Sequence, residues 1–271
     1  MGKKAIFAFQ NRAMNMENRK LIFVTNDDGY LANGIEVLVE AVRHLGEVVV
    51  VAPEEPQSGM SHAITVKHPL RIRTIKKEDN ISIFAVNGTP VDCVKLAINQ
   101  ILNRKPDILV SGINHGSNSS TSILYSGTMG AAIEGSINHI PSVGFSHELY
   151  THDADLEAAR VYSQQITHKV LENGLPKNIC LNVNFPSGEY NDILGVKICR
   201  QTMGHWQEEF DKRTDPVGRE YFWLTGEYHN HEPEATDTDE WALKNKYVSI
   251  VPVHTDLTSY ETIRLINKWD F

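Results

Sequence analysis

The sequence predicts an α/β fold built on a mostly parallel sheet with helices on its faces. Two short apolar runs, LIFVT (Leu21–Thr25) and EVVVVA (residues 47–52), have the continuous hydrophobicity of strands buried on both faces. Segments with the helical spacing of apolar residues lie between such runs. The alternation continues from residue 21 to about residue 186, which is the pattern of right-handed β-α-β units.

The first half of the chain carries signals for where its elements begin and end. Apolar residues with helical spacing follow Asn33 and stop at Gly46, and Pro53 closes the second strand. Thr89 and Pro90 are residue types of an N-cap and a first helical position, and we give them no catalytic role. The predicted elements are a helix over 33–45, strands over 47–52, 63–66 and 81–86, a helix from 89 and a strand over 107–110.

The second half continues the alternation and then changes character after Pro186. Small residues in the helix over 126–138 predict close packing on a neighbour. Beyond residue 186 the strands are isolated, and an acidic, polar stretch predicts an exposed loop. The predicted elements are helices over 126–138, 154–172 and 257–269, strands over 141–145, 179–183, 196–198, 221–224 and 247–253, and a loop over 227–240.

Five aromatic residues in these late segments indicate an oligomer of at least two chains. Apolar strands that lack partners are unstable alone and usually pair with another chain, although they could also fold back on their own domain. We therefore expect a homodimer or homotetramer. The aromatic residues are Trp206, Phe210, Tyr221, Phe222 and Trp223.

The domain organisation expected is one α/β domain over 21–271, in which 187–271 form a C-terminal arm with a hairpin and terminal helix. Patterned sequence begins only at Leu21, so residues 1–20 are treated as an N-terminal extension outside the fold. No apolar run has the length of a membrane span, and no signal peptide is recognisable. We expect no membrane association.

Charge and cysteine content narrow the class of protein further. The formal net charge of −8 disfavours nucleic-acid binding, which needs a positive field. Three widely spaced cysteines, with no CxxC pair, indicate a reduced, cytoplasmic chain whose thiols are small core residues. A small phosphorylated substrate remains compatible with this charge, because a bound metal can reverse the local sign.

Polar loops follow several of the predicted strands, and this is where an open parallel sheet binds its ligands. The first strand is followed by Asn26, Asp27 and Asp28, and the second by a Pro- and Gly-rich loop with Ser58. Further loops span residues 111–118 and 126–128. Because the carboxyl ends of parallel strands share one edge of the sheet, we expect these loops to lie together.

The residue types in these loops indicate a hard divalent cation and a phosphate. Carboxylate, hydroxyl and amide oxygens suit Mg²⁺, Mn²⁺ or Ca²⁺ better than zinc. Two adjacent aspartates repel each other unless a cation lies beside them. Backbone N–H groups of Gly- and Ser-rich loops, and of a helix that begins near Ser126, suit a phosphate. The combination indicates phosphoryl chemistry.

Each of these features also has an ordinary structural interpretation. Asp27 and Asp28 beside Gly29 are typical of a turn or helix cap, and Ser58 is typical of a turn. The loop from Asn114 to Asn118 could be a plain strand exit, and His115 a solvated histidine. His229 and His231 lie in the predicted acidic loop at no familiar metal-ligand spacing, so solvation is the favoured interpretation. The shared sheet edge is what favours a site.

The chain contains NDDG at residues 26–29, SGINHGSN at 111–118 and YSGT at 125–128. On these motifs it resembles the SurE (survival protein E) family of metal-dependent nucleotidases. The resemblance covers nearly everything after residue 20, and NDDG, SGINHGSN and YSGT in this order are a specific combination. One departure lies in NKYVSI, which begins at Asn245: in the family a glycine commonly precedes the tyrosine of this segment. The difference concerns only the geometry of the arm. The matching segments are LIFVTNDDGYLANGI, VVVVAPEEPQSGMSHAIT, VNGTPVDCVKLA, DILVSGINHGSNSSTSILYSGTMGAAIEG and YVSIVPVHTDLT.

The resemblance implies a Rossmann-like sheet with an extended C-terminal oligomerisation arm, and it implies roles for individual residues. One divalent cation per subunit, Mg²⁺ or Mn²⁺, is expected on Asp27, Asp28, Ser58 and Asn114. Asp27, Asp28 and Asn114 are then also the expected catalytic residues. The expected residues for binding substrate phosphate are Asn26, Asn118, Ser126, Gly127 and Thr128.

The function expected is hydrolysis of nucleoside 5′- and 3′-monophosphates to nucleoside and phosphate, with short polyphosphate as a further substrate. Direct attack by water is favoured over an Asp27 aspartyl-phosphate, since an aspartate that binds metal is a weak nucleophile. A phosphatase with an aspartyl nucleophile is disfavoured because DD, and not DxD, follows the first strand. A nicotinamide or flavin oxidoreductase is disfavoured because the first strand-to-helix turn does not contain the GxGxxG fingerprint of such enzymes. A non-catalytic sensor with the same fold stays a third alternative.

Overall fold

A nine-stranded sheet forms the centre of the computed structural model, which describes residues 19–151, 155–207 and 209–270. The helices are α1 (Asn33–Val42), α2 (Pro90–Leu96), α3 (Gly127–Ile137), α4 (Glu157–Asn173), α5 (Asp239–Lys244) and α6 (Tyr260–Ile266). The strands are β1 (Leu21–Thr25), β2 (Glu47–Pro53), β3 (Ile72–Lys77), β4 (Ile81–Val86), β5 (Ile108–His115), β6 (Ser142–His147), β7 (Ile179–Phe185), β8 (Gly195–Ile198), β9 (Gly204–Gln207), β10 (Phe210–Thr214), β11 (Glu220–Leu224), β12 (Glu227–Asn230) and β13 (Tyr247–His254).

The strand order of the sheet is β3-β4-β2-β1-β5-β6-β7-β13-β8. The six strands from β4 to β7 run parallel to one another, whereas β3 and β13 pair antiparallel with β4 and β7. The chain builds outward from β1 in one direction through β2 and β4, and from β5 in the other direction through β6 and β7. The order therefore reverses between β1 and β5, which is where a ligand crevice forms in such sheets.

Alternating side chains of β1 pack into two separate hydrophobic cores, one on each face of the sheet. Ile22 and Val24 pack in one core, which includes residues of α1 and α4. Leu21 and Phe23 pack in the other, which includes residues of α2 and α3. This alternation explains why the strand is apolar at four successive positions, 21–24, and it confirms the predicted class of a mostly parallel sheet covered by helices on both faces.

Two predictions about the first half of the chain are wrong. Residues 63–66 form no strand. The edge position belongs to β3, whose six side chains are all exposed, so it lacks the apolar signal of a buried strand. The strand predicted over 107–110 extends to His115, because Asn114 and His115 pair with β6 after a register shift.

The region after residue 186 has more regular structure than predicted. The prediction of a loop over 227–240 is wrong in part, because β12 and the beginning of α5 lie within this range. Strand β12 pairs with β9, and β10 pairs with β11 in a hairpin. All five residues of β11 are exposed, and α6 buries none of its residues.

Three further expectations concern the ends, the cysteines and membranes. The N-terminal extension over 1–20 lies almost entirely outside the described residues. Cys93, Cys180 and Cys199 are buried and unbonded, as predicted. In the described ranges, no helix is both long and apolar enough to cross a membrane.

Candidate functional site

The candidate site lies at the carboxyl edge of β1 and β5, where the strand order reverses. Asp27 and Asp28 directly follow β1, and Asn114 lies near the end of β5. The backbone N–H of His115 donates a hydrogen bond to Asp28 Oδ2 at 3.4 Å. The side-chain amide of Asn114 donates to the carbonyl oxygen of Gly116 at 2.7 Å. Adjacent strands thus bring together residues that are about 87 positions apart in the chain.

Asp27 is the buried member of the aspartate pair, with only 3% of its surface exposed. The pKa of this carboxyl is raised from 3.8 to about 6, chiefly by burial and to a smaller extent by the negative charge of Asp28. The hydroxyl of Thr128 donates a short hydrogen bond to Asp27 Oδ1 and opposes part of that rise. A positive ion beside the pair would favour the ionised form, so the electrostatics of the pair match a cation.

The loop that carries Ser58 is held against this edge. The backbone N–H of Gln57 donates to the carbonyl oxygen of Asp27 at 2.7 Å. Ser61, three residues beyond Ser58, donates from its hydroxyl to the carbonyl oxygen of Leu124 at 2.7 Å. The loop therefore bridges the end of β1 and the segment before α3, and Ser58 is exposed on it.

The beginning of α3 packs closely on Asp27. Ser126 is the N-cap of this helix, and its hydroxyl accepts the backbone N–H of Met129 at 3.0 Å. A Cβ added to Gly127 would lie 2.9 Å from Asp27 Oδ2, so only glycine permits this approach. The Thr128 hydroxyl donates to Asp27 Oδ1, and the phosphate-binding role expected for residues 126–128 stays a prediction for their backbone N–H groups. The part of this turn that suits an anion is its backbone N–H groups.

Asn118 and Asn26 are buried amides with different surroundings. Asn118 donates from its side chain to Ser146 Oγ at 2.8 Å, and from its backbone to Asn184 Oδ1 at 2.8 Å. Asn26 donates from its side chain to the carbonyl oxygen of Gly29 at 2.9 Å. Its Oδ1 is buried and accepts no hydrogen bond from any described residue. An unpaired acceptor next to two aspartates fits a cation or a hydrogen-bond donor of the substrate.

The sequence analysis missed the asparagines that support this loop. Asn182 and Asn184 lie on β7, and the side chain of Asn182 donates to the carbonyl oxygen of Asn118 at 2.8 Å. Both are fully buried in an interior strand. Two amides that alternate with apolar residues in ICLNVNF were the available signal, because buried polar groups in a central strand need partners.

The C-terminal region also supports the site, through Ser119 and Ser120. The backbone N–H of Ser120 donates to Asp239 Oδ2 at 2.8 Å, and its hydroxyl contacts the hydroxyl of Tyr228 at 2.5 Å. Ser119 donates a short hydrogen bond to Glu240, whose pKa is raised by burial. Strand β12 and helix α5 thus fix the loop that presents Asn118.

The donor set of this edge fits a hard divalent cation. It offers the carboxylates of Asp27 and Asp28, the amide oxygens of Asn26 and Asn114 and the hydroxyl of Ser58. These are oxygen ligands of the kind Mg²⁺ and Mn²⁺ take, and they include neither thiolate nor imidazole. Backbone N–H groups in the first turn of α3 can bind the oxygens of a phosphate. The Asn118 side-chain amide can add to them, because it has one N–H besides the one donated to Ser146. The arrangement can therefore hold a metal ion and a phosphoryl group side by side.

Comparison with known proteins gives concordant results. The sequence model of the family described as "Survival protein SurE" matches residues 22–208. A protein of Flavobacterium psychrophilum named 5′-nucleotidase SurE is 51% identical over 93% of this chain and 98% of its own length. A protein of the same name from Christiangramia forsetii is 52% identical over 93% of this chain and 98% of its own length.

A solved structure has the same fold. The crystal structure of the SurE protein from Aquifex aeolicus matches with a TM-score of 0.79 and 40% sequence identity. The match covers 91% of this chain and 98% of that chain. The resemblance that NDDG, SGINHGSN and YSGT indicated is confirmed.

Proposed function

This chain belongs to the SurE family, and from that premise we propose that it is a 5′-nucleotidase, a phosphomonoesterase that hydrolyses nucleoside monophosphates to nucleoside and phosphate. The observation that carries the proposal is the Asp27–Asp28 pair beside the first turn of α3, at the point where the sheet order reverses. The names of its relatives support the 5′ position of the phosphate. Activity on 3′-nucleotides and short polyphosphate is part of the same proposal.

In this proposal, Asp27, Asp28, Ser58 and Asn114 hold one divalent cation per subunit, Mg²⁺ or Mn²⁺. Such an ion polarises a phosphoryl oxygen and offsets the negative charge that develops during hydrolysis. Thr128 keeps the Asp27 carboxylate in one orientation through its hydroxyl, and Gly127 leaves room for that carboxylate. The first turn of α3 therefore holds Asp27 in place before substrate arrives.

The chain's own N–H groups then position the phosphate. The backbone N–H groups at 126–128 and the side-chain amide N–H groups of Asn118 and Asn26 bind phosphoryl oxygens. A water molecule attacks phosphorus directly and the bond from phosphorus to the nucleoside oxygen breaks. One proton of the attacking water is transferred to that oxygen, which leaves nucleoside and hydrogen phosphate. In this proposal Asp27 serves as a ligand and forms no phospho-enzyme, because a carboxylate that binds metal is a weak nucleophile.

The proposal extends to assembly and location. Phe210, Phe222 and Trp223 of the β10–β11 hairpin are 65%, 55% and 58% exposed, which is unusual for side chains of this size. We assign this hairpin, within the arm over 187–271, to contacts between subunits of a homodimer or homotetramer. Buried thiols without disulfides fit the cytoplasm, the location proposed for the protein.

Phosphate release from a panel of nucleoside 5′- and 3′-monophosphates and tripolyphosphate, with Mg²⁺, Mn²⁺ or EDTA, tests the proposal. We expect release from the monophosphates that needs metal and stops with EDTA. A folded chain that releases no phosphate with any metal would favour the non-catalytic sensor. Ligand-induced thermal shift with the same nucleotides would then detect binding. A phosphorylated Asp27 trapped by acid quench would contradict direct attack by water.

A further inference from the structure

Three histidines share one face of the ribbon that β9 and β12 form. His205 lies directly opposite His229 in the antiparallel register. His231 is two residues beyond His229, and its backbone N–H still pairs with Met203 at 3.0 Å. Because side chains alternate along a strand and directly paired residues share a face, the three rings lie on the same side. All three side chains are exposed.

The spacing of the rings is that of imidazoles around one metal ion. The ring centroids of His205 and His229 are 5.8 Å apart, those of His205 and His231 4.7 Å, and those of His229 and His231 5.6 Å. Three imidazoles that bind one tetrahedral zinc through nitrogens at about 2.0–2.1 Å have centroids roughly 5 Å apart. The three rings therefore lie about as far apart as the ligands of such a site do.

The ring nitrogens do not yet point to a common centre. His205 Nδ1 and His231 Nε2 form a hydrogen bond with each other at 2.5 Å, and the Gln207 side-chain amide contacts His205 Nε2 at 3.1 Å. Within the described ranges, no three His, Cys, Asp or Glu side chains are arranged in advance around a metal position. Exposed rings turn about their side-chain torsions on a picosecond-to-nanosecond timescale, so convergence needs no change of the backbone.

The neighbouring carboxylate is already engaged, so the available metal ligands are the three imidazole rings, with one nitrogen from each. Glu232 follows His231, but its carboxylate is engaged by Arg200 at 2.6 and 2.9 Å and by the backbone N–H of Met203. A set of three neutral imidazoles with an open fourth position suits borderline dications such as Zn²⁺, Ni²⁺ or Cu²⁺, and does not suit Mg²⁺. This chemistry differs from that of the oxygen-rich edge at Asp27 and Asp28.

We propose that His205, His229 and His231 form a second metal site, which binds one transition-metal dication on the β9–β12 ribbon. The site is independent of the proposed nucleotidase reaction, because it uses none of the residues at the carboxyl edge of β1 and β5. The opposite face of the ribbon carries Tyr228, which contacts Ser120 beside the Asn118 loop. A metal on the exposed face would brace the strand that supports this loop.

Calorimetric titration of ZnCl₂ into the full-length chain without an affinity tag, at pH 7.5, tests the proposal. The chain carries Asp27→Asn and Asp28→Asn, so that the carboxylates of the other site do not contribute. We expect one Zn²⁺ per chain with micromolar or tighter affinity. His229→Ala in this background weakens binding at least tenfold, since one of three ligands is lost. His44→Ala, which removes an exposed histidine after α1, leaves the affinity unchanged.

Two further measurements keep the result decisive. The His205→Ala and His231→Ala variants should weaken zinc binding as His229→Ala does, with unchanged circular dichroism. If the aspartate double variant does not fold, the titration uses the native background, in which His229→Ala removes one class of zinc site and His44→Ala removes none. Zinc that does not bind the double variant, or that binds the His229→Ala and His44→Ala variants alike, overturns the proposal. Phosphate release measured in parallel tests the nucleotidase function separately.

Discussion

At the scale of single residues, the pair Asp27 and Asp28 shows how position in a fold differentiates identical side chains. Asp27 is buried against Gly127 and Thr128, and its pKa is raised to about 6, whereas Asp28 contacts the end of β5. The sequence analysis identified both aspartates from their place after a buried strand. It could not show that Thr128 serves Asp27, because that contact joins residues 101 positions apart.

The first prediction concerns Thr128. The Thr128 hydroxyl lowers the pKa of Asp27, and Thr128→Val removes it. The carboxyl is then protonated at higher pH, and the proton prevents it from binding metal. Binding of Mn²⁺ to the metal-free chain should weaken as pH falls through about 6, and the midpoint should move to higher pH in Thr128→Val. Thr128→Ser keeps the hydroxyl and should retain the wild-type midpoint. Identical pH dependence in all three proteins would contradict this role.

At the scale of elements, buried strands and capped helices follow their local sequence closely. Thr89 is the N-cap that the sequence predicted, and it forms a capping box with Asp92. All five residues of β1 are buried, as its apolar run indicates. Strands β3, β9 and β12 escaped prediction because exposed strands carry polar residues with no hydrophobic pattern. Their place is decided by partners distant in sequence, which propensity does not register.

The second prediction concerns the contact between α2 and α3. Burial opposes ionisation of Glu134, but hydrogen bonds from His62 and Lys95 outweigh it and lower the pKa of this carboxyl. Glu134→Gln should reduce the free energy of unfolding by about 1–3 kcal/mol at pH 7, the scale of a hydrogen bond to a charged group. Urea unfolding measures the loss.

The sign of the pH effect follows from the lowered pKa. The stabilisation by ionised Glu134 is fully present above the ordinary value of 4.5 and disappears as pH falls through the lower pKa of the folded state. The difference between Glu134→Gln and the wild type should therefore shrink at pH 3.5. Glu36→Gln, on the exposed face of α1, is the matched control and should have no effect at either pH. A constant difference at both pH values would assign the effect to packing instead of charge.

At the scale of the whole molecule, the switch between β1 and β5 gathers loops from widely separated segments into one place. The alternation of strands and helices predicted this gathering, because parallel strands must present their carboxyl ends together. Asp239 and Tyr228 support the Asn118 loop through their hydrogen bonds to Ser120. These contacts could not be predicted, because β12 and α5 lie in a stretch that is polar and acidic in sequence. Their contacts with Ser120 exist only after the chain has folded.

The third prediction concerns assembly. The apolar side chains on the exposed β10–β11 hairpin should be covered by another subunit, so light scattering at micromolar concentration should give at least twice the chain mass of 30.5 kDa. A double variant, Phe222→Ser with Trp223→Ser, should lower the mass towards that of one chain. A monomer mass for the wild type would contradict the assignment of this hairpin to contacts between subunits.

The central claim is that the Asp27–Asp28 pair carries out metal-dependent phosphate release. The most direct test measures turnover of a nucleoside 5′-monophosphate at saturating Mg²⁺ or Mn²⁺ for the wild type, Asp28→Asn and the control Glu36→Gln. We predict that Asp28→Asn lowers turnover by about a hundredfold or more, as the loss of an electrostatic catalyst does, while Glu36→Gln does not change it. Near-normal turnover of a folded Asp28→Asn variant would contradict the account and remove Asp28 from the site.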